Sequence, residues 1–217
     1  MARCTKEEAL ATRDRLLDAA ELVFSEKGVS RTSLSDIAEA AGVSRGAIYW
    51  HFKNKSDLFN AMMDRTSLPL EDALRQEGDD IAQDPLADLQ RGIQGAMHKI
   101  ATDDRTRRVF EVATLKVEYV EELMAVKERH LQCYVDGVSR MQRSLEDASQ
   151  RQNTPLQMPS SLAAQGLHSL VVGLIHTWLL APGSFELELV AELSVATYLT
   201  GLGLISKPDR VATALAE

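Results

Sequence analysis

The sequence predicts an all-α protein of about nine helices, arranged as a small N-terminal domain and a larger C-terminal helical bundle. Two observations support this fold class. Apolar residues recur at helical spacing along most of the chain, while the alternation typical of strands is nearly absent. The composition also suits helices: charged residues make up 26% of the 217 residues and aromatic residues only 5%, and the 45% apolar share is enough to bury a large core.

The first two predicted helices have clear boundary signals. The first begins near Thr5 or Lys6 and ends before Gly28, a residue that tolerates the positive φ found just beyond a helix C-terminus. Thr32 or Ser33 then provides a side-chain oxygen that caps a second, short helix. Gly42 ends this second helix. The close spacing of these signals predicts short helices joined by tight connections.

The third and fourth helices are also marked by capping residues. Ser44 caps a helix expected at Arg45–His51, and Asn54 caps the next one. An interior proline removes a backbone hydrogen bond at a cost of about 3 kcal/mol. Pro69 therefore predicts a kink or break of the fourth helix near residues 67–68.

The remainder of the chain predicts five more helices. Acidic and turn-forming residues at 78–85 indicate a linker. Beyond it, we expect helices at about residues 85–101, 105–113, 118–149, 161–180 and 186–204. The expected division is a domain of residues 1–55 followed by one of residues 56–217.

Charge is distributed unevenly along the chain. The net charge of −8 argues against a protein that binds nucleic acid over its whole surface. Residues 1–67 nevertheless contain ten basic and ten acidic residues, and the rest of the chain, with 14 and 22, carries the entire excess. Within residues 44–56 there are Arg45, Lys53 and Lys55 and no acidic residue. This predicts a small cationic patch on an acidic protein.

The sequence disfavours metal and catalytic chemistry. Cys4 and Cys133 form no CxxC pair, so we expect two reduced thiols, no structural disulfide and no zinc site. His130 and Cys133 share a helical face but lack further metal ligands. No nucleophile–base pair, paired carboxylates or phosphate loop is recognisable. We therefore expect neither an enzyme nor a cofactor.

The sequence also disfavours a membrane location. The N-terminus lacks the apolar stretch of a signal peptide, so a cytoplasmic protein is expected. The most apolar segment, residues 161–180, contains Gln165, His168 and His176, whose side chains are costly inside a bilayer. We interpret this segment as a buried core helix.

Residues 33–52 have the pattern of a helix-turn-helix. Ala38 is a small residue at which two helices can cross, and Gly42 tolerates positive φ in the turn between them. Ile48 is the inward apolar residue of the second helix, and Ile37 and Val43 complete a small core. The pattern predicts that the second helix enters the major groove of DNA.

The outward face of this second helix is expected to read DNA. Ser44 and Arg45 lie at its N-terminus, where they can reach base edges, and an arginine can bind guanine through two hydrogen bonds. Tyr49, His51 and Lys55 are expected to bind phosphates. The full set of expected DNA contacts is Thr32, Ser33, Ser44, Arg45, Gly46, Tyr49, Trp50, His51 and Lys55.

Two runs of sequence resemble the signature of the TetR family of repressors. They are Thr32–Gly46 (TSLSDIAEAAGVSRG) and Ile48–Phe59 (IYWHFKNKSDLF). The strong resemblance covers about residues 8–60, and weaker similarity, including residues 105–108 and 178–185, extends across most of the chain. The chain also looks like the AcrR/TtgR-type subgroup, whose members repress multidrug efflux pumps.

This resemblance implies a homodimer that binds double-stranded operator DNA and releases it when a hydrophobic small molecule binds. Family members dimerise through the last two helices of each subunit and hold the ligand in a cavity of the C-terminal domain. Pro69 departs from the family pattern on the helix that transmits the signal. By this resemblance, the expected ligand contacts are Ile93, Met97, Phe110, Met141, His168 and His176.

Two alternatives stay open at this point. A TetR-type repressor of a metabolic or quorum-sensing operon would have the same DNA-binding domain as a repressor of an efflux operon. The neighbouring genes discriminate between them. The second alternative concerns the apolar stripes of the last two helices, which fit either a dimer interface or a core formed within a single chain.

Overall fold

The structure is a computed structural model, and it describes the backbone of residues 6–76 and 84–205 and the side chains of these residues except 67–76. The described part contains nine α-helices, one short 3-10 helix and no strand, which confirms the all-α prediction. The α-helices are α1 Lys6–Lys27, α2 Leu34–Ala40, α3 Arg45–His51, α4 Lys55–Gln76, α5 Pro85–Thr102, α6 Asp104–Leu115, α7 Met124–Gln152, α8 Ser160–Leu180 and α9 Leu187–Gly201.

The sequence predicts a kink or a break of the fourth helix near residues 67–68. The break is wrong, because α4 continues without interruption through Pro69, and the kink stays a prediction. A proline forfeits one backbone hydrogen bond, but the helix has 22 residues and its N-terminal turns are anchored by the fully buried Leu58, Phe59 and Met62. The start of α7 also differs from the expectation. Residues 121–123 form the 3-10 helix, and α7 begins at Met124.

The first compact unit comprises residues 6–69 and 102–133 of the described chain. A single apolar core joins α1, α2 and α3 to the N-terminal half of α4, to α6 and to the start of α7. Phe24 and Phe59 meet in it with ring centroids 6.0 Å apart, and Ile48, Val109 and Val126 are fully buried. The helix-turn-helix therefore shares its core with later helices, while the division at residue 55 stays a prediction.

The second compact unit comprises residues 70–101 and 134–205 of the described chain. Small residues let α8 and α9 approach closely: Ala163 and Ala164 are fully buried, and the Tyr198 hydroxyl donates a hydrogen bond of 2.9 Å to the Ala163 carbonyl. At the other end of α8, the Trp178 indole N–H donates to the carbonyl of Phe185 at 3.1 Å. These bonds tie α9 and the segment before it to α8.

Candidate DNA interface and effector cleft

The first helix of the helix-turn-helix is held by a capping box. The Ser33 side chain accepts a hydrogen bond of 3.1 Å from the backbone N–H of Asp36, and Asp36 accepts one of 2.8 Å from the N–H of Ser33. Hydrogen bonds from the Ser33 hydroxyl and N–H, with the nearby Lys27 ammonium, hold the pKa of Asp36 far below its usual range. The start of α2 is thereby fixed, with Ser33 in its cap position.

The second helix of the helix-turn-helix, α3, is oriented by its cap and one buried side chain. Gly42 adopts a φ of +65° in the turn before α3, as the sequence predicts. Ser44 caps the helix by accepting a hydrogen bond of 3.2 Å from the N–H of Ala47. Ile48 is fully buried against the core. Since Ile48 faces inward, the residues on the opposite side of α3 must face outward.

The outward face of α3 brings together most of the predicted DNA contacts. Tyr49 is 49% exposed and Trp50 is 72% exposed. The Arg45 guanidinium lies 5.6 Å from the centre of the Tyr49 ring, a cation–π contact that holds both side chains on one surface. Ser44, Arg45 and Gly46 are also exposed. A tryptophan this exposed contributes little to packing the unit, so it is available to a partner.

The structure corrects two predicted DNA contacts. Lys55 is only 4% exposed, and its ammonium donates to the carbonyls of Ser30 and Thr32 at 3.1 and 3.0 Å and pairs with Glu122 at 3.0 Å. All three N–H bonds are thereby used, which leaves none for a phosphate. Thr32 is 2% exposed, and its hydroxyl donates to the carbonyl of Gly28 at 2.8 Å. Both residues hold the helix-turn-helix together.

His51 lies at the edge of the exposed face. The side chain is partly exposed at the last position of α3, and its ring meets that of Trp50 edge-on, with centroids 4.5 Å apart. Partial burial, with the positive charge of Arg13, lowers the pKa of His51. At neutral pH the imidazole is therefore neutral and can offer one N–H.

Two cations that were not among the predicted contacts flank the same surface. Arg31 and Lys53 are exposed and line a polar cleft of about 460 Å³ together with Ser33, Tyr49 and Asn54. Asn54 caps α4 by accepting a hydrogen bond of 2.8 Å from the N–H of Asp57. The sequence could have indicated Lys53 as a DNA contact, since it lies within residues 44–56, which contain no acidic residue. Arg31 lies outside this segment, so the charge pattern did not indicate it.

A second cleft, which we call the effector cleft, lies among α5, α7 and α8 in the second unit. Its volume is about 420 Å³. Most of its wall is apolar, and the polar lining comes from two acidic residues, two arginines and one serine. The lining residues are Pro85, Asp88, Leu89, Gly92, Ile93, Ala96, Gly137, Arg140, Met141, Arg143, Ser144, Asp147 and Val171.

Two of the six predicted ligand contacts, Ile93 and Met141, line the effector cleft. The other four do not. Met97 is fully buried in the core, and His176 is exposed on α8. His168 lies beside the cleft residue Gly137, with its ring 5.2 Å from that of Tyr134, and burial lowers the pKa of His168. Phe110 belongs to α6 in the first unit.

The pair α8–α9 leaves large apolar side chains exposed in the single chain. Leu162 and Leu180 are 60% and 62% exposed, and Val172 and Leu189 are 46% and 47% exposed. An apolar groove that includes Leu174 runs along the same pair of helices. The expectation that residues 161–180 are a buried core helix therefore holds for only part of this helix, since 33% of its most apolar window is buried.

Length and composition alone would allow α8 to cross a membrane, and no other described helix meets that criterion. In the described part of the chain, His, Cys, Asp and Glu side chains form no group of three or more that could hold a metal ion. Cys133 is exposed on α7, and Cys4 lies outside the described residues.

Comparison with known protein families gives two matches. The family described as "Bacterial regulatory proteins, tetR family" matches residues 16–62. The family described as "MAATS-type transcriptional repressor, C-terminal region" matches residues 84–204. The first match contains the helix-turn-helix, and the second contains the effector cleft and the α8–α9 pair.

Individual relatives align over nearly the full chain. The HTH-type transcriptional regulator TtgR of Pseudomonas putida is 36% identical, over 86% of this chain and 89% of its own. The HTH-type transcriptional regulator AcrR of Shigella flexneri is 36% identical, over 92% of this chain and 93% of its own.

Two solved structures superpose on most of this chain. NalD, the secondary repressor of the MexAB-OprM multidrug efflux pump in Pseudomonas aeruginosa, superposes with a TM-score of 0.81 at 35% identity, covering 91% of this chain and 98% of NalD. SmeT in its triclosan complex gives a TM-score of 0.77 at 31% identity, covering 92% of this chain and 99% of SmeT.

Proposed function

Because the chain belongs to the TetR family of bacterial regulatory proteins, we propose that it is a cytoplasmic transcriptional repressor that binds a pseudo-palindromic operator as a homodimer. The observation that carries this proposal is the outward face of α3, where Arg45, Tyr49 and Trp50 stand exposed on a helix anchored by Ile48. Such a helix fits the major groove of B-DNA.

Each exposed side chain of α3 has a distinct role in the proposed complex. Ser44 and Arg45 lie at the N-terminus of the helix and reach base edges, with the guanidinium binding guanine O6 and N7. Tyr49 and His51 donate to phosphates. Arg31 and Lys53 replace Lys55 as the phosphate-binding cations, because their side chains are exposed on the adjoining cleft.

The exposed α8–α9 face supports the homodimer. Four apolar side chains with exposures between 46% and 62% would remain in water in a single chain. A two-fold axis through this face would cover the same residues on both copies. The dimer would then present two α3 helices to successive major grooves, about 34–36 Å apart.

Efflux control is the regulatory role that the relatives favour. NalD is a repressor of a multidrug efflux pump, and SmeT forms a complex with triclosan. The largely apolar effector cleft suits a hydrophobic small molecule. In this proposal, ligand binding in the cleft lowers operator affinity and the pump genes are transcribed.

Footprinting and gel shifts on the DNA upstream of the gene test the proposal. We expect a protected palindrome, weaker binding when hydrophobic drugs are added, and a loss of about 1–3 kcal/mol in binding free energy for Arg45→Ala. Lys99→Ala on α5 is the control and should bind normally. A footprint without two-fold symmetry would contradict the dimer. An operator beside metabolic or quorum-sensing genes would replace the efflux role by that alternative.

A further inference from the structure

We propose that the effector cleft selects amphipathic organic anions, with Arg140 and Ser144 binding the anionic head group and the apolar wall holding the rest of the ligand. This inference rests on the proposed function only in treating the cleft as the effector site. The cleft is lined by four charged side chains, two acidic and two basic. Their sum is zero, so selectivity depends on which charges a ligand can reach.

The carboxylate of Asp88 already has a cationic partner on its own helix. One of its oxygens accepts a hydrogen bond from Arg91 on the next turn of α5. The other oxygen is sealed from solvent and has no hydrogen-bond partner among the described residues. The pair with Arg91 offsets the negative charge of Asp88, so Asp88 attracts a ligand cation less than an unpaired carboxylate would.

Asp147 and Arg143 are both exposed on α7 and lie four residues apart. Side chains at this spacing are neighbours on a helix surface, and the two charges are opposite in sign. Both are also hydrated, and solvent screens their interaction with a ligand deeper in the cleft. Neither provides a desolvated charge.

Arg140 and Ser144 are the remaining polar groups of the cleft. Both are partly buried, and they lie one helical turn apart on the face of α7 that lines the cleft. The described structure gives neither side chain a hydrogen-bond partner or an ion pair. The guanidinium offers a planar fork of N–H donors that matches a carboxylate or sulfate, and the serine adds one O–H donor.

The apolar part of the cleft is shaped for the tail of such a ligand. Leu89 and Ile93 on α5 and Val171 on α8 line it together with Met141 of α7. A volume of about 420 Å³ lies within the range of sites for small organic ligands. Arg140 gives this largely apolar site a preference for negatively charged ligands.

Calorimetry on the full-length protein tests this assignment with three probes that share a tail: decyl sulfate, decanol and decyltrimethylammonium. We expect decyl sulfate to bind at least about tenfold more tightly than the cation, since a hydrogen bond to a charged group contributes on that scale. Arg140→Gln should remove this advantage and leave decanol affinity within about twofold. Ser144→Ala should lower decyl sulfate affinity by a smaller factor.

Arg143→Gln is the matched control, since it removes the same charge from the same cleft at an exposed position. It should change decyl sulfate affinity by less than about threefold. Tighter binding of the cation, an unchanged affinity in Arg140→Gln, or no binding of any probe would overturn the proposal. Operator binding is measured separately. Normal operator binding together with a preference for the cation would contradict this inference alone. Binding of decyl sulfate without any operator binding would contradict the proposed function alone.

Discussion

Glu21 is a buried charge in the core of the first unit, and we expect Glu21→Gln to destabilise the protein strongly. Glu21 is 3% exposed on α1. Its carboxylate accepts hydrogen bonds from Arg65 on α4 and from Nε of Arg105 on α6, the latter at 3.0 Å. One carboxylate thus joins three helices of the unit.

The magnitude follows from what remains when the charge is removed. Asp18 pairs with Arg65 at 2.9 Å and with Arg105 at 2.5 Å, so each guanidinium keeps one anionic partner. Removing one member of a buried ion pair costs about 3–5 kcal/mol. Arg105 is 44% exposed and Asp18 is 58% exposed, so solvent screens part of the loss. We therefore expect the lower end of the range, about 3 kcal/mol.

Thermal unfolding followed by circular dichroism measures this loss. For a chain of this size, about 3 kcal/mol corresponds to a decrease in Tm of about 6–12 °C. Glu26→Gln is the matched control, because it makes the same chemical change at an exposed position of α1 and should leave Tm nearly unchanged. A decrease of less than about 2 °C for Glu21→Gln would refute the reasoning, since the carboxylate would then contribute no more than a surface ion pair.

Three further predictions test other contacts. A Cβ on Gly166 would overlap the Tyr198 hydroxyl and lie 3.1 Å from its Cζ, so Gly166→Ala should lower the free energy of unfolding, measured in urea, by about 1–3 kcal/mol. Adding Tyr198→Phe to this variant removes the hydroxyl and should recover part of the loss. The pKa of Asp36 is lowered from the unfolded value of 3.8, so its contribution is present above that pH and is lost below it. Asp36→Asn should therefore lower Tm at pH 7, with a difference from the wild type that shrinks below about pH 4. Lys53→Gln should reduce the slope of log K against log salt by about 0.9, whereas Lys55→Gln should lower Tm instead.

Local signals explain why the helix-turn-helix could be predicted well from the sequence. Ser33, Gly42 and Ser44 act within one turn of the chain, through a cap hydrogen bond or a positive φ. Lys55 could not be placed in this way. Its ammonium is held by Glu122, which is far away in the sequence, and by the carbonyls of residues 30 and 32. A basic residue beside a recognition helix looks the same in sequence whether it faces DNA or the core.

Pro69 shows the converse limit. The rule that proline disrupts a helix concerns one hydrogen bond, and the prediction of a kink or break treated that bond as decisive, whereas α4 has no break. The buried Leu58, Phe59 and Met62 hold the preceding turns of α4 regardless of the proline. Tertiary packing of an amphipathic helix outweighs a local propensity of this size.

The C-terminal helices show what helical periodicity leaves undetermined. An apolar helix such as α8 can be buried in a protein core, in a bilayer or against a second subunit, since all three remove its side chains from water. The distinction comes from its neighbour. Ala163 and Ala164 are buried where α8 meets α9, and the apolar groove of this pair is lined by Leu174 of α8 and Val190 of α9. In a two-fold dimer, the same two helices of each copy would face each other and cover this apolar surface. If α8 instead crossed a bilayer, α9 packed against it would enter the bilayer too, with its acidic residues Glu188 and Glu192.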